Sequence, residues 1–281
     1  MKKFIFLVMI ISILYGYSYV NENASKGSSS AADATTIQTS PQTSLAQNTS
    51  TNKPIIKILF IGNSYTFYND LPKMLESLAS SDPDNKTQFV TESITQGGAH
   101  LIDLWNAGNA ANKIKSTHWD YVVLQDQSVW ALSPYDINTA HEAGAKFANL
   151  INQSGGKIIL YQTWPRQPGS TWYSDPKTSS LIKNPDYMQS YLHYYNNALA
   201  TAINASVVPV GDVWSYAIKN NKELNLYQSD GSHPSIEGTY LAALLFYMYI
   251  SGNNGEQVSF VPQGGNISAI TYIKNMLVHP K

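Results

Sequence analysis

Ser64 closes the apolar stretch Lys57-Ile58-Leu59-Phe60-Ile61-Gly62-Asn63-Ser64, and far down the chain Asp230 and His233 stand three residues apart in Ser229-Asp230-Gly231-Ser232-His233-Pro234. A serine hydroxyl is a poor nucleophile until a base takes its proton. His233 is the residue type that supplies the base, and Asp230 the type that orients the imidazole and stabilises its charged form. Gly231 permits a tight turn that folds the carboxylate back towards the ring. Pro234 disfavours helical geometry at His233 and starts a helix directly after it. Taken alone, Asp230 and Ser232 read more simply as turn residues and His233 as an exposed helix cap. The chemical reading depends on whether the intervening elements bring His233 to Ser64.

Those elements alternate strand and helix. Ile55 to Ile61 are β-formers, read as a first strand over 56–61, so Ser64 sits at the carboxyl edge where open α/β sheets bind ligands. A loop and an amphipathic helix follow. Asp70 caps that helix, Pro72 fits its first turn, and Leu71, Met74, Leu75, Leu78 and Ala79 recur at the spacing of a buried stripe. A weaker strand over 88–94 leads through Gly97-Gly98 into a helix over 101–115, with Leu101, Leu104 and Trp105 inward. Strands over 121–124 and 157–161 flank a helix over 137–152 that Gly155-Gly156 stops. A loop over 163–186 holds four prolines and two tryptophans. A helix over 187–203, a strand over 207–210 and a short helix capped by Asp212 and running to Lys219 come next. The last assigned helix, 235–250, has an apolar run too short for a bilayer, which takes about 20 residues. Five short apolar strands separated by helices predict a parallel sheet covered on both faces, a three-layer α/β/α sandwich of flavodoxin-like strand order.

Composition bounds the partners. Of 281 residues, 18 are Lys or Arg and 19 Asp or Glu, for a net charge of -1; without Lys2 and Lys3 the balance is 16 against 19, or -3. No basic stripe calls for nucleic acid, and no polybasic segment calls for an anionic membrane. The sequence has no cysteine, which excludes disulfides, thiolate metal sites, a cysteine nucleophile and a lipidated cysteine. No phosphate-binding loop, dinucleotide fingerprint or metal signature occurs, and His100, His118, His141 and His193 lack ligand spacing, so no cofactor and no metal are expected. Met1-Lys2-Lys3 followed by the apolar run Phe4 to Tyr15 reads as a signal peptide over 1–20, with an uncleaved anchor as the alternative. Residues 21–52, rich in Ser, Thr, Ala, Asn and Gln, read as a flexible linker. Residues 53–281 then form one domain, placed outside the cell or in the envelope and free of the membrane unless the leader is retained.

Gly62-Asn63-Ser64 after the first strand, Gly97-Gly98 after the second and Asp230-Gly231-Ser232-His233 before the last helix resemble blocks I, II and V of the SGNH (GDSL-like) hydrolase superfamily, in order, over roughly residues 55–250. The chain also resembles a bacterial branch of that superfamily, through Gly62-Asn63-Ser64-Tyr65-Thr66 and Gln125-Asp126-Gln127-Ser128. The resemblance implies a Ser64, His233, Asp230 triad, and an oxyanion hole of the Ser64 N–H, the Gly98 N–H and an amide side chain after the third strand. The family's Gly-x-Asn-Asp is missing there. Gln125 is the favoured replacement and Gln127 the alternative. Asn63 is read as stabilising the nucleophile loop and Asp126 as structural. Tyr65, Trp130 and Trp164 fall near the same edge and are candidate platforms for a sugar ring or acyl group. The resemblance implies an ester hydrolase acting on an acylated carbohydrate or small ester; acetyl or another short acyl group is the favoured group, and the carbohydrate part rests on export and aromatics. A lipase or thioesterase of the same fold, and a non-catalytic glycan-binding protein on this scaffold, are the alternatives.

Overall fold

The structure is a computed structural model that describes residues 53–178 and 181–280. The segments read as leader, 1–20, and linker, 21–52, lie outside the described residues. Strand β1 is Ile55–Gly62, β2 Gln88–Thr95, β3 Tyr121–Leu124, β4 Lys157–Tyr161 and β5 Ser206–Val208. They form one parallel sheet in the order β2-β1-β3-β4-β5, the doubly wound arrangement expected from sequence. The helices are α1 (Ser64–Phe67), α2 (Leu71–Ser81), α3 (Leu101–Asn106), α4 (Asn109–Ser116), α5 (Pro134–Gln153), α6 (Pro185–Ile203), α7 (Val210–Asn220), α8 (Ile236–Ser251) and α9 (Ile267–Val278).

The unbroken apolar character of β1 has a simple cause. Ile58 and Phe60 enter the core under α2, α7, α8 and α9, while Leu59 and Ile61 enter the core under α3, α4, α5 and α6. Alternate residues point to opposite faces, and both faces are covered from Ile58 onward, so the run 58–61 is apolar throughout, while Lys57 lies at the exposed start of the strand. The crossovers from β1 and from β3 run to opposite sides of the sheet. Ile61 pairs with Leu124, which brings the segments after β1 and β3 level at this switch point. A ligand crevice opens at such a point in doubly wound sheets.

Several local expectations need correction. The helix expected over 101–115 is two helices, broken where Gly108 takes a left-handed φ of 79°. Asp212 does not cap α7. The helix starts at Val210, and Asp212 lies in its first turn, 1% exposed, its carboxylate accepting from Gln189 Nε2 (2.7 Å) and Gln162 Nε2 (3.1 Å) and lying 2.8 Å from His193 Nδ1. Residues 251–281, unassigned from sequence, carry α9. Its Ile270, Ile273 and Leu277 join the core that surrounds α8, which is why α8 is apolar all round.

Candidate active site

Gly62 ends β1 where no side chain fits: a Cβ there would lie 2.6 Å from both Gln125 Oε1 and Thr66 Oγ1. Asn63 is extended and caps the single turn of α1, its Oδ1 accepting from the Tyr65 N–H at 3.1 Å. Its Nδ2 donates to the Ala99 carbonyl (3.1 Å), which binds the nucleophile turn to the Gly97-Gly98 loop. Ser64 is thereby the first residue of a short helical turn and half-buried. Beyond α1, Asn69 adopts a left-handed φ of 51°, and its Nδ2 lies within hydrogen-bond distance of Thr239 Oγ1 (2.8 Å) and the carbonyls of Pro234 and Ser235 (both 3.1 Å). The strained conformation costs about 1–2 kcal/mol. It is held by contacts that fasten the nucleophile segment to the turn carrying His233.

The histidine turn closes as its sequence predicts. Gly231 has a φ of +66°, and Asp230 Oδ1 accepts from the N–H groups of Ser232 and His233, each at 2.9 Å. Asp230 Oδ2 hydrogen-bonds His233 Nδ1. Because an ionised carboxylate only accepts, Nδ1 carries the proton and Nε2 is left as an acceptor. Nε2 lies 2.9 Å from Ser64 Oγ, whose hydroxyl donates to it. Partial burial raises the Asp230 pKa. The hydrogen bonds from the His233 ring and the Ser232 and His233 N–H groups, with the attraction of the imidazole, outweigh that and hold it below the ordinary carboxylate value. Tyr68 stacks on the imidazole, with centroids 4.2 Å apart and planes at 15°, and Tyr65 meets it edge-on at 5.6 Å.

Ser64 and His233 open into a cavity of about 390 Å³ whose wall includes Gly98, Gln127, Ser128 and Arg166. The N–H groups of Ser64 and Gly98 donate to no acceptor among the described residues. Gly98 has a φ of +71°. The two glutamines after β3 differ sharply. Gln125 is fully buried. Its Oε1 accepts from the Asn63 N–H and Thr66 Oγ1, both at 2.9 Å, and its Nε2 donates to Asn63 Oδ1 (2.9 Å) and the Asp126 carbonyl. Both amide protons are committed inside the protein, so the favoured placement of Gln125 in the cavity is corrected. Gln127 lines the cavity. Its Oε1 accepts from the Val129 N–H at 2.6 Å, and its Nε2 has no partner among the described residues. Asp126 is buried, and its Oδ1 accepts from the N–H groups of Leu101 (3.2 Å) and Gln127 (2.6 Å) and lies 3.2 Å from His100 Nδ1. The carboxylate of Asp126 beside the ring raises the His100 pKa, against a smaller opposing effect of burial and with help from Asp136 and Asp103.

The aromatic expectations fare unevenly. Tyr65 lines the cavity, 3% exposed. Trp164 is 0% exposed, sandwiched between Tyr65 (4.5 Å) and Trp214 (4.0 Å), and its Nε1 donates to the Ser232 carbonyl. It supports the histidine turn from beneath and offers no face to a ligand. Trp130 is 2% exposed in the opposite core. The aromatic groups at the cavity mouth are Phe67 and Tyr68, which sequence reasoning passed over, as it did Arg166. Arg166 carried a readable signal: it is the only arginine in the chain.

Among the described residues no group of three His, Cys, Asp or Glu is placed to hold a metal, and no helix is long and apolar enough to cross a membrane. No family model matches the chain, and no curated protein matches it. Solved structures do. A candidate SGNH hydrolase from Slackia heliotrinireducens aligns at 25% identity and a TM-score of 0.56, over 70% of this chain and 99% of its own. A DUF4886 family protein from Bacteroides uniformis aligns at 16% identity and 0.64, over 80% and 96%. The acetyl xylan esterase AlAXEase aligns at 18% identity and 0.52, over 69% and 100%. The structural neighbours of this chain are thus SGNH/GDSL-like hydrolases and esterases at low identity, and the fold it shares with them is the five-stranded parallel sheet flanked by helices.

Proposed function

We propose that this protein is a serine ester hydrolase that removes acetyl or another short acyl group from a carbohydrate. The observation that carries the reading is the 2.9 Å approach of Ser64 Oγ to His233 Nε2, with Nδ1 held by Asp230, inside a cavity that also collects undonated N–H groups. Ser64 Oγ attacks the ester carbonyl carbon while Nε2 takes its proton. The tetrahedral oxyanion is held by the Ser64 and Gly98 N–H groups and Gln127 Nε2, and such aimed donors supply a large share of the rate. His233 then gives the proton to the alcohol oxygen, the alcohol leaves and the acyl group stays on Ser64. Water repeats the sequence in reverse and releases the acid. Asp230 stays ionised throughout, orienting the ring.

A lipase or thioesterase needs a long apolar trough. Gln127, Ser128, Arg166 and Ser232 in the wall argue for a short acyl group and a polar alcohol instead. The sugar part of the proposal rests on the exposed ring of Phe67 at the cavity and on the export signal read at residues 1–20, which argues for a protein outside the cell or in its envelope. The test is hydrolysis of short-chain aryl esters and acetate release from acetylated polysaccharides, with Ser64→Ala alongside. Turnover that vanishes in the variant supports the reading. A folded protein with no turnover on any ester returns the weight to a non-catalytic glycan-binding scaffold.

A further inference from the structure

Arg166 follows β4, and 8% of its surface is exposed. Its NH1 donates to Tyr65 Oη (2.6 Å) and its NH2 to Ser128 Oγ (3.0 Å), its guanidinium lies 5.1 Å from the Trp172 ring, and its Nε has no hydrogen-bond partner among the described residues. Among the described residues no carboxylate lies within ion-pair distance of it. A buried charge without a counter-ion is costly, and natural proteins pair such charges almost always. Among the described residues, the single arginine is the one basic side chain other than His233 that lines the cavity. Arginine stays charged where a buried lysine can lose its proton, and its planar fork suits a carboxylate.

The same residue fixes the direction of the hydrogen bonds around it. A guanidinium has donors only, so the oxygens of Tyr65 and Ser128 accept. Tyr65, its oxygen already accepting from Arg166, is thereby favoured to send its own proton to Ser232 Oγ, 2.7 Å away. The Ser128 hydroxyl donates to no acceptor among the described residues, nor does that of Ser232 when Tyr65 donates to it, and both serines line the cavity. One wall therefore presents a cation and two hydroxyl donors, with no acidic side chain among its residues. Ser232 precedes the histidine that hands a proton to the departing alcohol, so this wall serves the alcohol side of the ester.

We propose that Arg166, with the hydroxyls of Ser128 and Ser232, forms a subsite for a carboxylate on the alcohol portion of the substrate, so that the ester opened by Ser64 is that of an acidic sugar. The inference rests on the ester-hydrolase reading above and can fail separately from it. Its test compares 4-acetoxybenzoate with methyl 4-acetoxybenzoate, in kcat/KM for the active protein and in calorimetric affinity for the Ser64→Ala protein, which binds without turnover. The wild type is expected to favour the carboxylate at least tenfold in both measurements. Arg166→Gln should reduce that ratio at least tenfold, Arg166→Lys should retain part of it, and the paired Ser128→Ala, Ser232→Ala protein should reduce it with the charge in place. If Arg166→Gln does not fold, that serine pair carries the test. Equal losses on both esters assign Arg166 a structural role and overturn the subsite, as does turnover without preference. Tighter binding of the carboxylate with no hydrolysis of either ester keeps the subsite and overturns the esterase.

Discussion

Tyr68 lies flat on the imidazole of His233, 4.2 Å between centroids and 15° from parallel. The ring is fixed by a carboxylate at Nδ1, a hydroxyl at Nε2, the face of Tyr68 and, edge-on, Tyr65. Aromatic pairs of this kind contribute about 0.5–1.5 kcal/mol beyond their buried area. Tyr68→Leu should therefore lower kcat/KM on aryl acetates by roughly twofold to tenfold and broaden the His233 ring signals in NMR. An unchanged rate with unchanged signals would mean that the Asp230 bond alone holds the ring.

Gln125 and Gln127 have the same side chain and opposite surroundings. Gln127→Ala removes a cavity donor and should cost roughly 10²–10³ in kcat, the scale of losing one oxyanion donor, with little effect on the urea midpoint. Gln125→Ala leaves the Asn63 N–H and the Thr66 hydroxyl without acceptors, and each buried orphan costs about 1–3 kcal/mol. It should lower the unfolding midpoint strongly. Steady-state kinetics and urea titration on both proteins check the pair; reversed effects would put the donor at Gln125.

Asn69 couples the two halves of the site. Asn69→Ala removes its bonds to the turn after His233 while keeping a left-handed backbone with a less suitable side chain. It should lower stability by about 1–3 kcal/mol and reduce kcat more than it raises KM. Denaturant titration and a kcat-against-KM comparison check this.

Two pH effects follow with opposite signs. Asp230 is held below its ordinary pKa in the folded protein, so its contribution is present above the unfolded value of about 3.9 and lost as pH falls through the folded value. His100 is raised by Asp126, so its contribution is complete below its unfolded value of about 6.5 and lost as pH rises through the folded one. The gap in urea midpoint between wild type and His100→Gln should therefore be wide at pH 6 and narrow at pH 9. A gap that does not change with pH would show that the His100–Asp126 contact carries no charge.

Much of this was legible in the sequence. The strands read directly because a doubly covered parallel sheet requires unbroken apolar runs, and Ser64 falls at a strand end for the same reason. Asn63 read correctly as a support of its loop. The side-chain direction beyond β3 did not. The Gln125 N–H donates to the Ile61 carbonyl at 2.9 Å and extends the ladder by one residue, which sends this glutamine inward. No composition or periodicity marks where a ladder ends. Trp130 and Trp164 lay on loops by sequence yet are core, because burial of a loop ring depends on what stacks above and below it. The α3–α4 break needed only one glycine, and a lone glycine within a helical pattern is often tolerated. Arg166 was visible as a singular residue, but its partners lie 38 and 101 residues away in the chain.

The most direct test of the serine mechanism is mass mapping of the protein after reaction with a 4-nitrophenyl alkylphosphonate, which traps an activated serine. One adduct is expected, on Ser64, lost in His233→Ala and in Ser64→Ala. No adduct on the folded wild type, or an adduct on another residue, would contradict it.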